Sequence, residues 1–126
     1  MAKILVIDDV EPIRHTINLI LSAQGHEIDE AENGDIGLKK IQAGEYDLVI
    51  TDILMPEKDG TEILMKLRSD GSELPILAIS GGGTNVSGDY TLRLAENYAD
   101  DVLKKPFSKR DLSDIVDRLL LKGQGN

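Results

Sequence analysis

Five polar residues stand at the ends of short apolar runs. Asp8 and Asp9 follow Ile-Leu-Val-Ile at 4–7, Asp52 follows Leu-Val-Ile-Thr at 48–51, Ser80 follows Ile-Leu-Ala-Ile at 76–79, and Lys105 comes just after Val102 and Leu103. If these ends meet in space, three carboxylates share one small volume and repel one another strongly. Such a group needs a cation, and an oxygen-rich set with few protein ligands suits Mg²⁺. A lysine and a hydroxyl beside that cation suit phosphate oxygens. The set reads as a site that handles phosphoryl groups. Taken singly, each residue has an ordinary explanation. An Asp after a strand is usually a helix cap or turn residue, a Ser before glycines is a turn residue, and a lone Lys is a solvated surface cation. Those explanations do not cover four independent run ends that each carry a group the chemistry needs.

Whether the ends meet depends on the elements that carry them. Residues 4–7, 48–51 and 76–79 have the continuous apolar pattern of strands buried on both faces. A weaker strand is expected over Glu27–Ala31 and a short one at 102–103. Ile13, Ile17, Ile20 and Leu21 recur at helical spacing, with Gly25 as the stop. Asn33-Gly34 opens a second helix that carries Ile36, Leu38 and Ile41 and closes at Gly44. A third helix is expected over 61–69, with Ile63, Leu64 and Leu67, and a fourth through Leu92, Leu94 and Ala95. Ser108 is the expected N-cap of a fifth, in which Leu112, Ile115, Val116 and Leu119 share a face. Five strands alternating with five helices imply parallel, right-handed crossovers and an open α/β sheet covered on both faces. In such a sheet binding groups gather at the carboxyl ends of the strands, which brings the five polar residues together.

The composition bounds the partners. A length of 126 residues suits one domain, expected over 1–121, with 122–126 as a short tail. With 14 basic and 23 acidic residues the net charge is −9, which argues against a general binder of nucleic acid or anionic membrane. The absence of cysteine excludes a disulfide scaffold and a thiol nucleophile. His15 and His26 are too few for a histidine-rich zinc site, and both are read as surface residues. The apolar start is too short for a signal-peptide core or a membrane span, so a cytoplasmic protein is expected. No output segment is expected after the domain, so the reading is of a stand-alone unit.

Asp8-Asp9 after the first strand, Asp52-Ile53-Leu54-Met55-Pro56 leading to Gly60, Ser80 after the fourth strand and Lys105-Pro106-Phe107 after the fifth together resemble the receiver domains of the response-regulator family of two-component signalling. The similarity runs from Lys3 to about Leu121. It implies a flavodoxin-like, doubly wound sheet of five parallel strands in the order 2-1-3-4-5, with five helices. It implies that Asp52 accepts a phosphoryl group from a phosphohistidine on a histidine kinase or histidine phosphotransferase. Asp9, Asp52 and the backbone carbonyl of Leu54 would bind Mg²⁺, and Asp8 would act mainly through a water on the metal. Lys105 would pair with the phosphoryl oxygens, Ser80 would move to meet one of them, and the Lys105–Pro106 peptide would be cis. Ile13 and Arg14, on the exposed end of the first helix, would dock the kinase. A downstream target protein would read the face built by the fourth helix, fifth strand and fifth helix. The unit is expected to be a monomer without direct nucleic-acid contact.

The chain departs from the family pattern in places. Val102 stands where receivers usually carry Tyr or Phe, and the spacing of Tyr98 does not replace it. Gly81-Gly82-Gly83 follows Ser80, where Ala is more usual, and the loop is expected to be mobile without phosphate. Leu54 and Gly82 flank the site and neither can hold a hydrolytic water, so slow self-hydrolysis is expected. Two other functions compete. A small Asp-based phosphatase of the haloacid-dehalogenase type needs a second Asp two residues after the nucleophile, where Leu54 stands. A phosphate-independent interaction module would be favoured by loss of Asp9, Asp52 or Lys105, and all three are present. The expected chemistry is therefore self-phosphorylation and self-dephosphorylation only.

Overall fold

Strands that are apolar on both faces have no side to offer to water, so they belong in the middle of a sheet under helices. A computed structural model describes residues 2–53, 60–80 and 98–124. Its elements are β1 (Lys3–Ile7), α1 (Glu11–Ser22), β2 (Glu27–Ala31), α2 (Gly34–Ala43), β3 (Leu48–Asp52), α3 (Gly60–Ser69), β4 (Ile76–Ser80), β5 (Asp101–Lys104) and α4 (Lys109–Gln124). All four strand pairings are parallel, in the order β2-β1-β3-β4-β5. The sheet is therefore the flavodoxin-like one, with the three aliphatic strands at its centre. The helix expected through Leu92, Leu94 and Ala95 lies outside the described residues, as do Leu54 and Gly81-Gly82-Gly83. Four helices are described.

Successive strand residues point to opposite faces, and the core divides accordingly. Ile4 and Val6, Leu48 and Ile50, Leu77 and Ile79, and Leu103 face α1 and α4, where they meet Ile17, Leu21, Leu112, Val116 and Leu119. Leu5, Ile7, Val49, Ile76 and Ala78 face the other way, against Ile63, Leu64 and Leu67 of α3 and the partly buried Ile36, Leu38 and Ile41 of α2. The edge strand β2 carries Glu27, Asp29 and Glu30 and is the least buried of the first four, as suits a strand with one unpaired side.

Local signals set the helix ends. Asn33 accepts the Ile36 amide at 2.9 Å and caps α2. Ser108 and Asp111 bond reciprocally, Ser108 Oγ accepting the Asp111 amide at 2.9 Å, which starts α4 with a capping box. Gly25 has φ +93° after α1, a backbone region that disfavours a Cβ. Helix α4 runs on through Lys122 and Gly123 to Gln124, past the expected start of the tail. Lys122 lies 3.4 Å from Asp100, an anchor the sequence does not display. His26 is not a free surface residue: its Nδ1 accepts the Ala2 amide at 3.2 Å. His15 is exposed.

The amino edge of the sheet has its own clasp. Arg68, near the end of α3, donates to the carbonyls of Tyr98, Ser72 and Leu74 and to Asp100 Oδ2 at 2.9 Å. The same Asp100 oxygen accepts the Ile76 amide at 2.8 Å. One guanidinium thus ties the end of α3 to the starts of β4 and β5. Among the described residues no helix is long and apolar enough to cross a membrane.

Helix α2 approaches β1 closely because Gly37 has no side chain. A Cβ there would overlap Ile7 Cδ1 and sit 2.9 Å from Ile7 Cγ1. Gly37→Ala is expected to lower stability by about 1–3 kcal/mol, read as a lower urea midpoint at unchanged m-value. Adding Ile7→Val, which removes Cδ1, is expected to recover part of that loss.

Candidate functional site

Parallel strands put all their carboxyl ends at one edge of the sheet. Asp8 and Asp9 follow β1, Asp52 ends β3, Ser80 ends β4, and Lys105 follows β5. Register completes the convergence, since Ser80 lies opposite Lys104, and the Lys105 amide donates to the Ser80 carbonyl at 2.8 Å. Asp8, Asp52 and Ser80 are 1%, 5% and 7% exposed, whereas Asp9 is exposed. One carboxylate oxygen from each of Asp8, Asp9 and Asp52 lies within 4.8 Å of the others. The Lys105 ammonium stands 3.0 Å from Asp52 Oδ2 and 3.7 Å from Asp8 Oδ2. The first is a charge-assisted hydrogen bond; the second is too long for one. The Lys105–Pro106 peptide is cis.

Asp8 is the most constrained member. Its amide donates to the Ala31 carbonyl at 3.1 Å. Its Oδ1 accepts the Val10 amide at 2.8 Å, a turn just ahead of α1, whose N-cap Val10 makes no side-chain cap bond. Its Oδ2 is buried without a hydrogen-bond partner among the described residues. Burial pushes the Asp8 carboxyl above its ordinary range. The Val10 amide opposes that shift, the Asp52 charge adds to it, Lys105 opposes it and Asp9 adds to it. A buried carboxylate oxygen without a hydrogen bond among the described residues, facing two further carboxylates, fits a hard divalent cation, because all the donors are oxygens and the local charge is in excess. The chain therefore presents a pocket suited to Mg²⁺, with Leu54, the further expected ligand, outside the described residues.

Beside the pocket runs a groove of about 380 Å³ lined by Pro12, Ile13, Thr16, Lys105, Pro106 and Phe107. Ile13 is half-buried and lines it. Arg14 is not on an exposed end: its side chain is 13% exposed and is bound to Glu30 at 2.8 Å and to the Asp8 carbonyl at 2.7 Å. Sequence reasoning missed this role because Glu30 is 16 residues away and the nearer partner, the Asp8 carbonyl, is a backbone group that no side-chain spacing reports. Val102 packs with Tyr98 and Ala99 against the cluster on the α3 side of the sheet.

Comparison with known proteins agrees with this geometry. A family model described as "Response regulator receiver domain" matches residues 4–117. A probable transcriptional regulatory protein of Picosynechococcus is 41% identical over 98% of this chain and 51% of its own length. The transcriptional regulatory protein ResD of Bacillus subtilis is 36% identical over 94% of this chain and 48% of its own. The chain thus spans about half the length of these curated relatives. Both are named as regulators of transcription, so the expectation of no nucleic-acid contact finds no support in them. Among solved structures, the response regulator TrrA of Thermotoga maritima in complex with Mg²⁺-BeF has a TM-score of 0.80 at 35% identity, covering 94% of this chain and 99% of that one. A CheY-like receiver domain protein of Methanospirillum hungatei has a TM-score of 0.87 at 26% identity, covering 99% and 98%.

The raised Asp8 pKa sets the sign of a stability change. A group whose folded pKa lies above its unfolded value of 3.8 costs stability when ionised, and the cost is relieved as pH falls through the folded pKa. In Mg²⁺-free buffer at pH 7, Asp8→Asn is expected to raise the urea midpoint above that of the unsubstituted protein. The advantage is expected to shrink as the pH is lowered toward 3.8.

Proposed function

The chain belongs to the response regulator receiver family, and from that premise we propose that it accepts a phosphoryl group on Asp52 and either signals through phosphorylation-dependent protein contacts or passes the phosphate along a phosphorelay. Receiver domains are signalling modules rather than classical enzymes, and they work with histidine kinases. The observation that carries the reading is the meeting of three carboxylates and one lysine at a single sheet edge. An oxygen of Asp52 attacks the phosphorus of a phosphohistidine on a histidine kinase or histidine phosphotransferase. The new O–P bond forms as the P–N bond breaks, and the electron pair leaves with the imidazole nitrogen. The product is an acyl phosphate on Asp52. Lys105, 3.0 Å from Asp52 Oδ2, presents its charge to the transferred oxygens. Ser80, at the end of the adjacent strand, supplies a hydroxyl to the phosphate.

Asp8, Asp9 and Asp52, with the Leu54 carbonyl, would hold Mg²⁺, which neutralises charge on the transferring group. The groove through Ile13 and Phe107 lies alongside Lys105 and suits an apolar helix that presents the donor histidine. The bound phosphate adds nearly two negative charges to the pocket. That charge favours arrangements in which Ser80 meets the phosphate, and the balance of states on the output face shifts with it. A cytoplasmic location belongs to the same reading, on the grounds of family. The reading concerns residues 1–121 as the receiver unit, whether or not further domains accompany it.

Acetyl phosphate with Mg²⁺ tests this. The chain is expected to gain one phosphoryl mass by intact mass spectrometry, Asp52→Asn is expected to gain none, and the adduct is expected to decay slowly. Sustained turnover of acetyl phosphate would favour an Asp-based phosphatase instead. An absence of labelling would favour a phosphate-independent interaction module. A lifetime of seconds would count against the reading of Leu54 and Gly82.

A further inference from the structure

The carboxylates of Asp8 and Asp9 hang from one peptide unit. That unit is planar, so the direction of the Asp8 carbonyl also sets the direction in which the chain enters Asp9. The carbonyl is held by the Arg14 guanidinium, with Nη1 at 2.7 Å. Arg14 is braced in turn, its Nε donating to Glu30 Oε1 at 2.8 Å. Glu30 has two further partners: Asn18 donates to Oε2 at 2.7 Å, and Lys40 donates to its backbone carbonyl at 2.7 Å. Burial pushes the Glu30 carboxyl up, but the hydrogen bonds from Asn18 and Arg14 and the guanidinium charge outweigh it and hold the group below its ordinary range. The next residue, Ala31, accepts the Asp8 amide. The last two residues of β2 therefore fix Asp8 from both sides: Ala31 holds its N–H directly, and Glu30 holds its C=O through Arg14.

The geometry points to Arg14 as a positioning residue of the acidic pocket, which aims Asp8 and Asp9 by orienting the peptide between them, with Glu30 as its brace. The inference rests on the proposed reading of that pocket as a Mg²⁺ site and adds the device that shapes it. Two of the Arg14 donors are committed inward, to Glu30 and to the Asp8 carbonyl. An arginine suits the task because its planar fork can hold a carboxylate and a carbonyl at once, which a single ammonium does with poorer geometry.

Two explanations of an Arg14 effect differ in sign. Arg14 is a cation near a cation site, so by charge alone its removal would tighten Mg²⁺ binding. Positioning demands the opposite. Partners that orient metal ligands typically contribute 10–100-fold in affinity. The test is titration of the intact chain with Mg²⁺ alone, followed through backbone amide shifts, with no phosphate donor present. Arg14→Met keeps the aliphatic stem and is expected to weaken Mg²⁺ binding about tenfold, and to speed hydrogen exchange at the Val10 amide without metal. Arg14→Lys keeps the charge and is expected to lose several-fold. If Arg14→Met does not fold, the Arg14→Lys result decides. Arg68→Ala, at the far edge of the sheet, controls for lost stability and is expected to leave Mg²⁺ affinity unchanged. Affinity equal to or tighter than that of the unsubstituted protein in a folded Arg14 variant would overturn the inference. Absence of saturable Mg²⁺ binding in the unsubstituted protein, matching Asp9→Asn, would instead overturn the reading of the pocket.

Discussion

Three carboxylates within 4.8 Å of one another must be held together against their own repulsion. At an effective dielectric of about 20 each pair at that separation costs on the order of 3 kcal/mol. Lys105 offsets part of this through its contact with Asp52, and solvent around Asp9 screens another part. The remainder is borne by the sheet. Burying one aliphatic side chain contributes roughly 1.5–3 kcal/mol, and β1, β3 and β4 are lined by such side chains on both faces. The repulsion is small beside that frame. It adds to the upward push that burial already gives the Asp8 carboxyl.

The same frame explains why the site can be assembled from residues so far apart in sequence. Each strand needs only to end in the right residue, because parallel pairing delivers the ends to one edge. The finer placement is local. The Asp8 side chain holds the Val10 amide just ahead of α1, Arg14 comes back from the first turn of α1 to hold the Asp8 carbonyl, and β2 steadies both. The edge strand, the most polar of the five, thereby has a part in the geometry of the centre.

Much of this was legible in the sequence, for physical reasons. Aliphatic runs such as 48–51 can only be central strands in a chain of this size, and the polar residues that end them mark the carboxyl edge. Asn33 and Ser108 announce their helices because capping is a contact between near neighbours. What stayed hidden depends on contacts between distant residues. Arg14 reads as an exposed helix cation until Glu30 and the Asp8 carbonyl are seen beside it. His26 reads as a surface residue until the Ala2 amide is found on its ring. The tail reads as frayed until Lys122 meets Asp100. Gly37 looks like any helical glycine, and only the approach of Ile7 gives it a reason.

The Arg68 clasp gives the sheet a mechanical asymmetry. It pins the starts of β4 and β5 through Asp100, the Ile76 amide and the Tyr98 carbonyl, whereas the other ends of those strands carry Ser80 and lead into Lys105. The whole of each strand, five residues in β4 and four in β5, lies between the clasp and the pocket, a span of roughly 13–17 Å. Parallel pairing along β3, β4 and β5 couples the two ends of those strands. The Arg68 contacts and the acidic pocket therefore sit at opposite ends of the same strands.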